Sequence, residues 1–320
     1  MAGIGEPLVR GAAGVSASAP APLLALGRGI ERADATARIV EAHLLLARDH
    51  PLPDAADARL VLRACGADDA ADARLGRGAA IDLLTADRSH PASIAHALVE
   101  AREAARLARE SLPAELYDML VATRARLPRK VVEPRVGDFL AWVRERSALA
   151  VGLIESAVAR DGAFELIALG RRLERAAATA RLLAAHADDP ESGPGWMFVL
   201  RSAGAHEAHV RAHRGAPTAA AAIELLALDE RFPRSVAHGL VHAERSLRAL
   251  GIDGGATGLA SGRRAAAELS LLVDATASGA VEPSPAPTDA DRARARRASA
   301  LRSLHAAVEQ ATREILLALD

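Results

Sequence analysis

Aromatic residues make up 2% of this 320-residue chain, and cysteine and lysine occur once each, at Cys65 and Lys130. A single cysteine excludes an internal disulfide and any zinc site built on two thiolates. Cys65 itself reads as a small buried helix residue. With one lysine, Schiff-base or phosphate chemistry of the lysine type would rest on one position, and neither is expected. No stretch approaches the roughly 18 uncharged apolar residues of a membrane-spanning helix. The opening residues, through VSASAPAP, lack the basic region and apolar run of a secretion signal and read over 1–22 as a disordered lead-in. Charge of one sign is also missing: 40 basic against 41 acidic residues remove the positive footprint of a nucleic-acid binder. These absences point to a soluble protein of the reducing cytoplasm, with neither membrane nor nucleic acid as partner.

What is present is helix-forming. Half of the residues are hydrophobic, and since aromatics are rare this fraction is Ala, Leu and Val, of which Ala and Leu favour helix. Alternating runs of β-branched and aromatic residues, the mark of strands, do not occur. Small alanine faces also let helices approach at the short end of the usual spacing of roughly 8–10 Å.

The chain then repeats itself. LGRGIERADATARIVEAH (26–43) returns as LGRRLERAAATARLLAAH (169–186), with twelve of eighteen positions identical. VLRACGA (61–67) returns as VLRSAGA (199–205), and DRSHPASIAHALVEA (87–101) as DERFPRSVAHGLVHA (229–243), at offsets of 143, 138 and 142 residues. Three matches in one order argue for tandem duplication. The expected fold is all-α: a bundle of two copies of a roughly four-helix unit about a pseudo-twofold axis. Copy one would span 23–113, connecting helices 114–160 and copy two 161–250, the duplicated domain closing at 276. A linker over 277–290 and a C-terminal helix over 291–320 would follow. Pro91 and Pro233 are expected in the first turn of the fourth helices, and Asp138 as a cap of the long connecting helix.

On the repeated helix, Leu26, Ile30, Ala33, Ala37, Val40 and Leu44 form one apolar stripe, with Ala35 and Ile39 opposite. Leu169, Leu173, Ala176, Ala180 and Leu183, with Ala178 and Leu182, repeat the pattern. A helix apolar on both faces is central, so its charges, Arg28, Glu31, Arg32 and Arg38 with Arg171, Glu174, Arg175 and Arg181, are at least partly buried and must be paired. Glu31 and Arg28 have i,i+3 spacing. Across a pseudo-twofold axis Glu31 would instead meet an arginine of copy two and Glu174 one of copy one, and bidentate pairing would explain arginine over lysine. Two readings stay open: an ion-pair network that fixes docking, or a cleft whose surplus guanidiniums bind a carboxylate, phosphate or acidic peptide.

The motifs GRGIERADATAR and GRRLERAAATAR resemble the Gly-Arg-x-x-Glu-Arg-Ala-x-x-Thr-Ala-Arg signature of the alpha-E family. HPASIAHALVEAREAARLARE and FPRSV (232–236) also fit its pattern. The chain departs from it in having no asparagine: Ala35, Ala178, Ala104 and His90 stand where the family commonly carries it, and Leu23 and Leu24 replace aromatic residues. The resemblance implies partners, a circularly permuted ATP-grasp ligase and a transglutaminase-like protein. It also implies a role in forming or handling an amide-linked peptide or metabolite, and establishes no activity.

Other constellations carry less. His206, His209 and His213 have spacings that could converge on a metal but read as amphipathic surface positions, and His238 and His242 lack a third ligand. Arg231 and Arg234 flank Pro233 and Ser235 at the start of a helix, an anion-friendly N-terminus that reads as ordinary capping. Arg102, Arg106 and Arg109 with Glu103 and Glu110 read as a charged stripe. GAAG and GIDGG lack the setting of a phosphate loop, so no cofactor is expected. An accessory or ligand-binding module of the ligase leads. Its rivals are an enzyme using Glu31 and Glu174 as acid or base, with the arginines as anion clamps, and a purely structural scaffold.

Overall fold

A computed structural model describes residues 20–70, 75–132, 134–213, 215–252, 256–277 and 287–319. Among them every regular element is helical, and the one strand-like pairing is the isolated Ser192–Thr218 bridge. The helices are α1 Pro20–Asp49, α2 Asp54–Cys65, α3 Arg77–Ala86, α4 Ile94–Leu107, α5 Ala114–Ala125, α6 Val136–Ala157, α7 Gly162–Ala185, α8 Pro194–Ser202, α9 His206–Ala212, α10 Ala219–Ile223, α11 Val236–Ala249, α12 Ala256–Ala277 and α13 Pro287–Leu319.

α1 and α7 carry the two arginine-rich motifs and form the centre. No residue of α1 from Pro20 to Leu44, nor of α7 from Gly162 to Ala185, is exposed. The two helices pack on each other; α1 also meets α4, α6 and α8, while α7 meets α2, α11 and α13. Alanine makes this approach possible, and at Gly27 and Gly170 only hydrogen fits between the helices. Around this pair the apolar stripes merge into one core, into which α8 inserts the fully buried Trp196 and Phe198.

Ends of elements follow local chemistry. Asp161 caps α7, its carboxylate accepting from the amides of Ala163 and Phe164. α2 ends on Gly66 at φ 75°, with Gly66 N–H donating to Arg63 O and Ala67 N–H to Leu62 O. Gly204, at φ 62°, closes α8 with the same pair of bonds to Arg201 and Leu200. A residue lacking Cβ is favoured in this left-handed position.

Several sequence expectations are corrected. The first helix begins at Pro20, so of the proposed lead-in residues 20–22 are helical and 1–19 lie outside the described residues. Of the proposed linker, 278–286 lie outside them and α13 already begins at Pro287. Pro91 and Pro233 stand two residues before the caps Ser93 and Ser235, whose hydroxyls accept from Ala95 and His238. A serine oxygen that reaches those amides sets the boundary, and the prolines shape the preceding turn. Arg135, with no side-chain cap bond, precedes α6, and Asp138 lies inside its first turn. After α8 the described residues form a short helix, α9, and α10 passes into a π-helical stretch over Glu224–Leu228.

Candidate functional site: a crossed glutamate–arginine clasp

Where α1 and α7 cross, each glutamate is held by the arginines of the other helix. The Glu174 carboxylate accepts from Arg32 through Nε (2.9 Å) and Nη2 (3.0 Å), and from Arg28 Nε at 3.0 Å. Glu31 accepts from Arg175 through Nε (2.9 Å) and Nη2, and from Arg171 Nε at 3.1 Å. Arg32 and Arg175 are bidentate forks, a geometry lysine cannot supply. The i,i+3 pair of Arg28 with Glu31 is not seen; both oxygens of Glu31 are taken by Arg171 and Arg175, and Arg28 turns across to Glu174.

Both carboxylates are deeply buried, at 2% and 5% exposure for Glu31 and Glu174. Burial alone would raise the Glu174 carboxyl. The charge and hydrogen bonds of Arg32, then Arg28 and the more distant Arg181, outweigh it and bring the pKa down to about 2. Glu31 is likewise lowered: burial is overcome by Arg175, Arg171 and Arg234. A carboxylate with both oxygens engaged and its pKa depressed neither gives nor takes a proton near neutrality.

Other motif positions also find partners. Arg32 Nη1 lies 3.5 Å from Pro91 O and Arg175 Nη1 lies 3.3 Å from Pro233 O. Thr36 and Thr179 donate their hydroxyls to Ala92 O (3.2 Å) and Arg234 O (2.8 Å). The motif thus grips the turn before α4 or α11. Arg38 Nη1 lies against Gly204, and Arg181 against Gly66, so each motif's last arginine sits on the C-terminal turn of a short helix from the other half. Cations are favoured at that end of a helix. Arg181 also reaches Glu309 of α13 at 3.5 Å.

Sequence reasoning missed Asp34, whose counterpart in the second motif is Ala177. Its Oδ2 accepts from Arg38 Nε (2.9 Å) and Arg234 Nη2 (2.6 Å). Burial would raise its pKa, and Arg234 and Arg38 together lower it. Arg172, whose counterpart is Gly29, was also overlooked; periodicity alone does not reveal that it borders a cleft. The expected surface position of His209 is corrected: it is buried, its ring stacked on His213 at 5.0 Å, because α9 turns that face inward. Among the described residues no three His, Cys, Asp or Glu side chains converge as a metal site, and no helix is long and apolar enough to cross a membrane.

Two clefts flank Arg171 and Arg175. One, of about 250 Å³, is lined by Glu155, Arg171, Arg172, Arg175, His238 and His242 among others. The other, of about 240 Å³, lies between α1, α6 and α7, with Asp34, Arg38, Arg234 and Ser147 on its walls. The Ser147 hydroxyl there is buried and has no hydrogen-bond partner.

Fold and site together define an all-helical protein whose two central helices are locked by exchanged glutamate–arginine pairs. The family model of Alpha-E, a predicted alpha-helical domain with a conserved ER motif, matches residues 24–316, nearly the whole chain, and the chain belongs to that family. Glu31-Arg32 and Glu174-Arg175 are the pairs that fit the ER description. No curated protein and no solved structure matches the chain.

Proposed function

We propose that this protein is a non-catalytic, ligand-binding accessory module of the cytoplasm, acting with an ATP-grasp type ligase in peptide or amide-bond metabolism. In this reading the chain is a tandem duplication docked about a pseudo-twofold axis. The glutamates lock the copies, and the remaining guanidinium edges hold an anionic group of substrate or partner. The observation that carries it is the division of labour at the crossing: both carboxylates are saturated, while Arg171 and Arg175 also border open clefts. The ligase, and a transglutaminase-like protein beside it, come from the family resemblance alone. Acid–base catalysis by Glu31 or Glu174 runs against their depressed pKa values, and a purely structural scaffold leaves the clefts without a use.

The test is reconstitution. The purified protein alone should turn over none of the ligase's substrates, and the ligase should gain rate or substrate affinity when it is added. Turnover by the protein alone would defeat the accessory reading, and a ligase indifferent to its presence would defeat the partnership.

A further inference from the structure

The arginine-lined cleft between α7 and α11 is built from residues that have counterparts on α1 and α4, and the two sets differ at decisive positions. Aligned by the repeat offsets, Arg28 matches Arg171, Arg32 matches Arg175, Pro91 matches Pro233 and His96 matches His238. The shared parts sit alike: His96 Nδ1 lies 3.0 Å from Arg88 O and His238 Nδ1 lies 2.7 Å from Glu230 O. A carbonyl only accepts, so each ring carries its proton on Nδ1 and turns Nε2 away from that anchor.

In the first half the next turn brings Glu100. Its carboxylate lies 3.6 Å from Arg32 Nη1 and 3.6 Å from His96 Nε2, an acid of the chain placed against the outer edge of the clasp. In the second half the matching residue is His242, whose ring stacks on His238 at 4.1 Å. Burial, with His238, Arg172 and Arg245 nearby, pushes its pKa down to about 4, so it is neutral at physiological pH. An anion present on one side is therefore replaced by an uncharged ring on the other.

The second half also gains a guanidinium. In the first half Gly29 allows the close crossing: a Cβ there would meet Ala97 O at 2.8 Å. In the second half the glycine has moved to the partner helix. Gly239 stands where Ala97 would, and a Cβ on it would meet Ala176 Cβ at 2.8 Å and Arg172 O at 3.2 Å. Moving the glycine to α11 frees the α7 position for Arg172, held by His242 O at 2.9 Å and by the Ser246 hydroxyl. Three arginines thus line a cleft of about 250 Å³ in which, among the described residues, the only lining carboxylate is the half-exposed Glu155, 3.3 Å from Arg171. Glu31 occupies the inner edges of Arg171 and Arg175, and Glu165 lies 3.7 Å from Arg172. The cleft holds roughly eight water volumes, enough for a carboxylate with a short chain behind it.

We propose that this α7–α11 cleft binds a ligand carboxylate, of a small acid or of an acidic peptide, and that Glu100 is the built-in occupant of the equivalent place in the first half. The proposal rests on the anion-binding part of the proposed function and not on the ligase partnership. Glu100 supplies the ligand chemistry: a carboxylate on a flexible chain, approaching a guanidinium whose other edge is already committed to a buried glutamate.

Isothermal titration of the full chain with N-acetylglutamate, a short glutamate-terminated peptide and inorganic phosphate tests it. The wild type should bind one equivalent of a carboxylate probe, and the stronger of the two carboxylates tells free acid from peptide. His242→Glu should weaken binding at least tenfold while keeping the melting temperature, since the chain then fills its own site. Glu100→Ala, which leaves the second half intact, should raise the stoichiometry towards two. Absence of carboxylate binding to the wild type, phosphate binding in its stead, or unchanged affinity in a folded His242→Glu protein would each overturn the proposal. A wild type that binds neither carboxylate yet still activates the ligase would remove this site and leave the accessory role standing.

Discussion

The α-carbon of Gly27 faces the carbonyl oxygen of Ile167 so closely that a Cβ would overlap it, and Gly170 stands in the same relation to Leu24 O. Backbone, not a pliable side chain, is the obstacle at both crossings, so the helices themselves must separate to admit a methyl group. Gly27→Ala and Gly170→Ala should each destabilise by about 1–3 kcal/mol or more through overpacking, exceeding the gain of roughly 1 kcal/mol that alanine brings to a helix. Gly152 of α6 is exposed with nothing within 4 Å of a built Cβ, so Gly152→Ala should stabilise by about 0.5–1 kcal/mol. Urea midpoints of the three variants check the contrast; equal effects at Gly27 and Gly152 would mean that the crossing is not close.

The clasp predicts an acid-side loss of stability. Glu174 has its folded pKa near 2 against an ordinary 4.5. Its contribution is therefore fully present above pH 4.5 and declines as pH falls towards 2, amounting to about 3 kcal/mol at 1.36 kcal/mol per unit. Glu31 acts in the same direction. Denaturant unfolding from pH 6 down to pH 3 should show this decline, and Glu174→Gln should flatten it while lowering stability at pH 6. A decline of the same slope in both proteins would assign it to other carboxylates.

Asp34 joins Arg38 of its own helix to Arg234 from the turn before α11. The Arg234 side chain is largely enclosed, at 20% exposure, and burial lowers its pKa against the pull of Asp34. Asp34→Ala leaves that guanidinium without its nearest counter-charge, and removal of one partner from a buried pair costs about 3–5 kcal/mol. The double variant Asp34→Ala, Arg234→Ala should recover part of the loss. A strictly additive cycle in thermal unfolding would show that the pair does not interact.

Asp34 also marks where sequence reasoning stops. Residues repeated in both motifs were legible because a charge kept on a helix apolar on two faces demands a partner, and the exchange of Glu31 and Glu174 between halves follows from that demand. Asp34 aligns with Ala177 in the second motif, and its partner Arg234 stands where the matching stretch 87–101 has Ala92, so the sequence match points away from both. Arg28 illustrates a second limit: spacing offers Glu31 three residues on, and only the crossing helix shows that Glu174 is the better acceptor. The shift of glycine from position 29 to 239 is likewise a property of two helices in contact, invisible along either strand of sequence.

Cys65 closes α2 against the central pair and is 4% exposed. Burial pushes its thiol up to about 12, with Arg181 nearby giving only partial relief. At pH 8 roughly one molecule in ten thousand carries the reactive thiolate, and even that one is shielded from solvent. Under native conditions the chain should therefore consume no aromatic disulfide reagent over the time in which an unfolded control in urea consumes one equivalent. The rate in the folded protein should rise in Gly27→Ala, whose opened crossing loosens the contact of α2 with α7. Rapid native labelling at a rate indifferent to that substitution would mean that the thiol is not enclosed by the central helices.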